Sequence, residues 1–200
     1  MLFKKFIHFI DFQKLFAPDK PVLLALSGGL DSTMMAHLFF KAGFSFAIAH
    51  CNFGLRGIDS DEDARFAANL SGNFGVDFYS EKFNTKEYAG KNGISIQMAA
   101  RELRYKWFEE IRSKHGYHYI ATAHHLDDQA ETFLINLIRG TGIAGFHGIP
   151  VKNEKVIRPM MFARRNEIAL YAKKHSIAFR DDLSNNEIKY LRNKIRHEIL

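Results

Sequence analysis

The sequence predicts an α/β protein with a doubly wound, mostly parallel sheet. Short apolar runs alternate with longer segments of helical periodicity, a pattern typical of parallel sheets with helices on both faces. The chain has 200 residues, of which 46% are hydrophobic and 25% charged. That length and composition suffice for a folded domain with a buried core. The single cysteine, Cys51, excludes a disulfide framework within these residues.

Each element has its own local signal. Strands are predicted where apolar residues form short runs, at residues 22–27, 45–50, 77–83 and 119–124. Helices are predicted where apolar residues recur at helical spacing, at residues 32–41, 60–74, 95–115, 127–139, 164–175 and 187–200. Glycines follow several of these helices, as expected at helix C-termini.

The domain boundaries follow from the same patterns. We expect an N-terminal amphipathic helix within residues 1–18, a catalytic domain at 19–185, and the start of a truncated helical extension at 186–200. Polar residues interrupt the first segment and no small-residue cleavage site follows it, which argues against a secretion signal. No apolar run approaches a membrane span. We therefore expect a cytoplasmic protein without a membrane partner.

The segment Ser27-Gly28-Gly29-Leu30-Asp31-Ser32 follows the first apolar run and opens a helical pattern. Adjacent glycines allow backbone N–H groups to converge on one point, and the positive end of the helix dipole faces the same point. The two serines add hydroxyl donors. This combination predicts a pyrophosphate-binding loop, and Gly-Lys-Ser/Thr of the Walker loop is absent from the chain. Asp31 is a candidate Mg²⁺ ligand, with helix capping as the alternative.

Polar residues also follow the second strand and occupy one helix. His50 and Asn52 at the strand end, with Arg56 beyond them, suit a base and a phosphate, although an ordinary polar loop has the same composition. Arg101 and Arg104 are three residues apart, so they share a helix face and can address one anion or form surface ion pairs.

The segment from Thr122 to Thr132 crosses from a strand end into a helix. Its two aspartates, Asp127 and Asp128, are suited to capping that helix. Asp128 and Glu131 also form a carboxylate pair on one face, able to hold an ammonium group or accept a proton. We favour these functions over a transition-metal site with the adjacent histidines. Because parallel strands end at one edge, we expect Ser27, His50 and His124 to face one crevice.

The net charge of +6 is confined to the last quarter of the chain. Residues 1–150 carry 16 Lys or Arg and 16 Asp or Glu, whereas residues 151–200 carry 12 and 6. Such asymmetry favours a polyanionic partner, and a solvated basic face is the alternative. Arg192 and Arg196 lie at i and i+4 of the predicted last helix, where they could contact phosphates.

Taken in order, these segments resemble the tRNA(Ile)-lysidine synthase family of the PP-loop ATP pyrophosphatases. The Ser27–Ser32 loop alone identifies only the superfamily, and the run from His124 to Thr132 singles out this member. The resemblance covers about residues 20–200. Further matching segments are His50 to Arg56, Ala100 to Tyr105, Arg139 to Gly142, Arg158-Pro159, Asp182 to Asn185 and Tyr190 to Arg196.

The resemblance implies ligation of lysine to C2 of the wobble cytidine in an isoleucine tRNA with a CAU anticodon, using ATP and Mg²⁺ through an adenylated cytidine. It implies catalytic roles for Asp31, Arg104, Asp128 and Glu131, and tRNA contacts at Arg192 and Arg196. Asp128 and Glu131 would position the lysine. The implied ATP-binding residues are Ser27, Gly28, Gly29, Leu30, Asp31, Ser32, His50, Asn52 and His124.

Two other functions compete with this one. A PP-loop tRNA thiolase would also adenylate a base, but sulfur delivery generally needs several cysteines and these residues contain one. A non-catalytic ATP- or RNA-binding module would bind ATP without releasing pyrophosphate. The sequence leaves the oligomeric state open, a homodimer included.

Overall fold

The computed structural model describes residues 1–140 and 148–180. Within these ranges the helices are α1 (Leu2–Phe12), α2 (Leu30–Ala42), α3 (Ile58–Phe74), α4 (Thr85–Asn92), α5 (Ile96–His115), α6 (Leu126–Ile138) and α7 (Arg165–Lys174). The strands are β1 (Val22–Ala25), β2 (Phe46–Asn52), β3 (Phe78–Lys82), β4 (Tyr119–Ala121), β5 (Lys152–Asn153) and β6 (Val156–Ile157).

The strands form one sheet in the order β3-β2-β1-β4-β6-β5. All neighbouring strands are parallel except the edge pair β5 and β6. From β1 the chain first builds the sheet towards β3 and then returns to place β4 on the other side of β1. This reversal opens a crevice beyond the carboxyl ends of β1 and β4, where ligands bind in open α/β sheets.

Helices cover both faces of the sheet. Successive side chains of a strand point to opposite faces, so each strand contributes residues to both cores. Val22 and Leu24 of β1 point into the larger core with α1, α2 and α7, while Leu23 points into the smaller core with Trp107 and Phe108 of α5. In the larger core, Phe6 of α1 is fully buried. Because helices cover both faces of the sheet, successive residues of its strands are apolar and form nearly continuous apolar runs in the sequence.

The predicted doubly wound, mostly parallel sheet is confirmed. The sequence did not predict α4, which is polar and short, or the β5–β6 pair, whose strands are only two residues each. The predicted helix at 187–200, and with it the extension at 186–200, lies outside the described residues. No helix in residues 1–140 or 148–180 combines the length and apolar composition that crossing a bilayer requires.

Candidate active site

A cavity of about 590 Å³ lies beyond the carboxyl ends of β1 and β4. It occupies the crevice that the strand order creates, and both helical layers contribute walls. Its lining residues are Ala25, Leu26, Ser27, Gly29, Leu30, Asp31, Ser32, Cys51, Phe53, Arg104, Tyr105, Phe108, Thr122, Ala123, His124, His125, Asp128, Arg165, Phe179 and Arg180. The cavity thus brings the predicted phosphate loop next to the histidine- and aspartate-rich segment that begins at Thr122, far away in the sequence.

The phosphate loop is held by short-range hydrogen bonds. The hydroxyl oxygens of Ser27 and Ser32 are 3.0 Å apart, and the Thr33 hydroxyl donates to the carbonyl of Gly28 at 3.0 Å. Gly28 has a φ of +94°, a conformation that disfavours any residue with a Cβ. Helix α2 begins at Leu30, so its first-turn N–H groups lack helical partners and face the lining of the cavity.

Asp31, in the first turn of α2, has one carboxylate oxygen in an unusual position. Its Oδ1 atom is buried and has no hydrogen-bond partner among the described residues. A buried carboxylate oxygen without a partner fits a cation that another ligand helps to hold. Across residues 1–140 and 148–180, no group of three or more His, Cys, Asp and Glu side chains forms a complete metal site. Magnesium would therefore need phosphate oxygens as well as Asp31.

His125 lies between the phosphate loop and α6. Its side chain is 2% exposed, and its Nε2 atom is 3.6 Å from Oδ2 of Asp31 and 3.6 Å from Oδ2 of Asp128. Burial lowers the pKa of His125, but the neighbouring Asp31, Asp128 and Asp127 carboxylates outweigh it, so the net pKa lies above its ordinary value. The sequence motif contains both histidines, but only His124 is predicted as a site residue.

The two adjacent aspartates have different surroundings. Asp127 accepts a hydrogen bond at 2.8 Å from the backbone N–H of Arg165, the first residue of α7, and does not line the cavity. Asp128 lines the cavity and accepts at 2.9 Å from the backbone N–H of His125. Asp127 therefore joins two helices, and Asp128 is the carboxylate that a ligand can reach.

His124 and Arg104 also line the cavity. Of the three strand-end residues predicted to share a crevice, Ser27 and His124 line it and His50 does not. His124 Nδ1 is 2.9 Å from the hydroxyl of Thr122, which fixes the ring at the end of β4. The Arg104 guanidinium lies 5.1 Å from the ring centre of Phe53, which follows β2. This contact holds a cation and an aromatic face together at the wall of the cavity.

Besides Gly28, three predicted site residues do not line the cavity and lie behind its wall. His50 is 3% exposed, and its Nδ1 is 2.9 Å from the carbonyl of Leu26. Asn52 is 5% exposed and bonds Asp61 and the N–H of Gly54. Glu131 is 0% exposed on α6. Their roles in binding or catalysis stay predictions. Arg192 and Arg196 lie outside the described residues.

Sequence reasoning missed Phe179 and Arg180. The Arg180 N–H donates to the carbonyl of Gly28 at 3.0 Å, and its side chain contacts Asp63 at 3.1 Å and Glu62 at 2.8 Å. The segment that carries both residues thus lies against the phosphate loop. Arg180 is more than 100 positions from its partners, so no local spacing could have indicated it.

Cys51 lines the cavity but is not activated. Burial raises the pKa of its thiol to about 12, even though Arg104 lies near enough to favour the thiolate. At neutral pH the sulfur therefore remains a thiol, which is a poor nucleophile. The cysteine is a small, partly buried side chain that packs against the smaller core.

The PP-loop domain family matches residues 4–200 of the chain. Curated relatives are tRNA(Ile)-lysidine synthases from several bacteria. The protein from Bacteroides thetaiotaomicron is 46% identical over 200 residues, covering 100% of this chain and 47% of the relative. The protein from Chlorobaculum tepidum is 42% identical over 201 residues, covering 98% and 61%. The chain thus spans about half the length of the relatives it matches.

Solved structures share the fold at low sequence identity. The U34-tRNA thiolase NcsA from Methanococcus maripaludis, described with its 4Fe-4S cluster, has a TM-score of 0.74 and 22% identity over 97% of this chain and 71% of that chain. The NH3-dependent NAD synthetase from Campylobacter jejuni has a TM-score of 0.62 and 17% identity over 88% of this chain and 72% of that chain. Likeness at this level concerns the fold alone.

Proposed function

The chain belongs to the PP-loop domain family, and from that premise we propose that it is the catalytic part of a tRNA(Ile)-lysidine synthase. It would ligate lysine to C2 of the wobble cytidine in an isoleucine tRNA with a CAU anticodon. One observation carries the proposal: the phosphate loop and the Asp128 carboxylate line the same cavity. A ligase that adenylates one substrate and adds an amine needs both. A cytoplasmic location belongs to the same proposal.

In the first step, the cytidine C2 oxygen attacks the α-phosphorus of ATP and pyrophosphate leaves. The first-turn N–H groups of α2 and the hydroxyls of Ser27 and Ser32 face the region where negative charge gathers on the leaving group. These donors are fixed before reaction, so they stabilise the developing charge without reorganising. Arg104 adds a positive charge on the opposite wall of the cavity.

Magnesium fits this site through Asp31, whose buried Oδ1 atom has no partner among the described residues. Bound there, the ion would neutralise part of the phosphate charge. The protein's own contribution is to hold the Asp31 carboxylate against His125 at 3.6 Å.

In the second step, the amine of lysine attacks C2 of the adenylated cytidine, the C2–O bond breaks, and AMP leaves. The amine must lose a proton to act as a nucleophile. Asp128 lines the cavity and presents a carboxylate to the incoming ammonium group. Glu131, one helical turn further along α6, would help to hold the lysine and accept the proton.

The tRNA contacts are proposed for the basic last quarter of the chain. Residues 151–200 carry 12 Lys or Arg and 6 Asp or Glu. Among the described residues, Arg165 and Arg180 of this segment line the cavity. Arg192 and Arg196 would add phosphate contacts, which position the RNA without reading its sequence.

The rival thiolase function has less support. The fold likeness to a tRNA thiolase stands at 22% identity and concerns the fold alone. The single cysteine of these residues has its thiol pKa raised to about 12 by burial. A thiol in that state is unsuited to carrying sulfur to an activated base.

The experiment that tests the proposal uses the full-length protein with ATP, Mg²⁺, labelled lysine and an isoleucine tRNA transcript with a CAU anticodon. We expect label in the tRNA together with AMP and pyrophosphate. The matched control is the same transcript with a GAU anticodon, which lacks the wobble cytidine and should stay unlabelled. Failure to label the CAU transcript would refute the proposal, and ATP left intact would favour a non-catalytic binding module.

A further inference from the structure

A single buried imidazole connects the two halves of the active site. His125 is 2% exposed, and its Nε2 atom lies 3.6 Å from a carboxylate oxygen of Asp31 and 3.6 Å from one of Asp128. Asp31 belongs to α2, which begins at the phosphate loop, and Asp128 belongs to α6. One nitrogen therefore faces a carboxylate of the nucleotide half and a carboxylate of the amine half.

His125 is also the N-cap residue of α6, where it forms a capping box with Asp128. Its Nδ1 atom is buried and has no hydrogen-bond partner among the described residues. The Asp127 oxygen 3.9 Å from Nδ1 is the one that accepts the N–H of Arg165. Burying a polar ring is unfavourable unless its interactions compensate for lost hydration. The Nε2 side supplies such interactions, because a carboxylate oxygen of Asp31 and one of Asp128 each lie 3.6 Å from it.

The imidazole lies between two groups of like charge, the carboxylates of Asp31 and Asp128. Two carboxylates near one another repel, and repulsion would protonate one of them or push them apart. A polar imidazole nitrogen 3.6 Å from an oxygen of each offsets that repulsion and favours one arrangement of the two carboxylates. For Asp31 this leaves Oδ1 as the oxygen without a protein partner among the described residues. For Asp128 it adds to the hydrogen bond that the same Oδ2 atom accepts from the backbone N–H of His125 at 2.9 Å, on a side chain that lines the cavity.

We propose that His125 is a positioning residue that holds Asp31 and Asp128 in one geometry and so links nucleotide binding to amine binding. The inference rests on the proposed function, because the amine subsite is part of it. The role proposed for the imidazole acts through these two carboxylates. Its loss therefore weakens two interactions made by two other residues, on two different helices. A residue that merely filled space would not produce that paired effect.

Two variants separate positioning from packing. His125→Leu fills a similar volume without a donor, and His125→Gln places an amide nitrogen near the position of Nε2. The control is His118→Gln, an exposed histidine just before β4. The dissociation constant of Mg·ATP is measured by competition with a fluorescent ATP analogue, and the KM of lysine by label transfer to tRNA. Thermal unfolding confirms that each variant is folded.

We expect His125→Leu to raise both constants about tenfold or more, since removing a partner that orients a ligand group commonly has that effect. His125→Gln should restore most of both, and His118→Gln should match the unchanged protein. A folded His125→Leu variant that keeps both constants, or changes only one, would overturn the inference. If His125→Leu fails to fold, His125→Asn replaces it. Its amide is too short to reach the Nε2 position, so equal constants for Asn and Gln would also overturn the inference.

These outcomes are distinct from failure of the proposed function. Absence of lysine transfer in the unchanged protein would refute that function. The Mg·ATP constants of the same variants would still decide whether His125 positions Asp31. Unchanged Mg·ATP binding in His125→Leu would count against the inference under either result.

Discussion

The two strand-to-helix turns at the cavity share a plan but differ in electrostatic character. After β1, the turn from Ser27 to Ser32 presents backbone N–H groups and hydroxyls at the start of α2. After β4, the turn from His124 to Asp128 places two aspartates in the first turn of α6. A helix N-terminus carries a partial positive charge. The strand-to-helix turn after β1 therefore suits an anion, whereas in the turn after β4 the carboxylates offset that positive charge. The same local fold thus serves a polyphosphate and an ammonium group.

Among the substitutions at these two turns, we expect Asp31→Asn to lower the reaction rate most. The amide keeps the size of the side chain but removes the charge beside the phosphates, so Mg·ATP loses its carboxylate contact. We expect pyrophosphate release to fall on the order of 10³-fold. The measurement is pyrophosphate release with full-length protein and tRNA. Asp59→Asn, an exposed aspartate in α3, serves as the control and should keep the rate. Retention of the rate in Asp31→Asn would remove Asp31 from the nucleotide half.

Glu131→Gln tests the amine half. Glu131 is fully buried, and the amide preserves its volume while removing a proton acceptor. We expect lysine transfer to fall on the order of 10²-fold, with a smaller effect on pyrophosphate release. Both steps are measured in one reaction with labelled ATP and labelled lysine. Equal losses in the two steps would contradict the role proposed for Glu131.

The two turns also differ in how far the sequence could predict them. Most hydrogen bonds of the first turn join residues at most five positions apart, such as Ser27 and Ser32, so a six-residue motif contains most of its geometry. The bond from the Arg180 N–H to the Gly28 carbonyl is the long-range exception. Contacts of the second turn join Asp127 to Arg165 and His125 to Asp31, far apart in the chain. Spacing along a helix pairs Asp128 with Glu131, but it cannot reveal these distant contacts or what Asp127 binds.

The sheet was predictable for a similar reason. Covered on both faces, its strands form apolar runs that stand out from the helices, as Val22–Ala25 does. The β5–β6 pair has no such signal because each strand has two residues. His50 illustrates the remaining gap. Its place at a strand end was predicted, but burial beneath the cavity depends on packing around Leu26 that no local pattern records.

Gly28→Ala tests whether the turn after β1 requires a glycine at its positive φ. At a φ of +94° a Cβ introduces backbone strain, although the nearest atom, in Phe66, is at an ordinary 3.6 Å. We expect a loss of about 1–2 kcal/mol in the free energy of unfolding, measured by urea denaturation. Gly29→Ala is the matched control. Its φ of −69° suits alanine, so it should lose less, and equal losses would count against strain at Gly28.

Asp127→Ala has the smallest expected effect. It removes the carboxylate that accepts the N–H of Arg165 at the start of α7, and losses of this kind are about 1 kcal/mol. We expect a lower thermal midpoint with both chemical steps retained. A loss of lysine transfer without a change in stability would show that Asp127, and not only Asp128, serves the amine.

In the proposed mechanism, the turn after β1 serves adenylation and the turn after β4 serves amine addition. The most direct test is a two-stage reaction of full-length Asp128→Asn protein with labelled ATP and tRNA, followed by lysine. We predict that adenylated tRNA forms within a few-fold of the unchanged protein's rate and then persists after lysine is added. Failure to form adenylated tRNA would contradict the division between the two turns, and so would its normal conversion to lysidine.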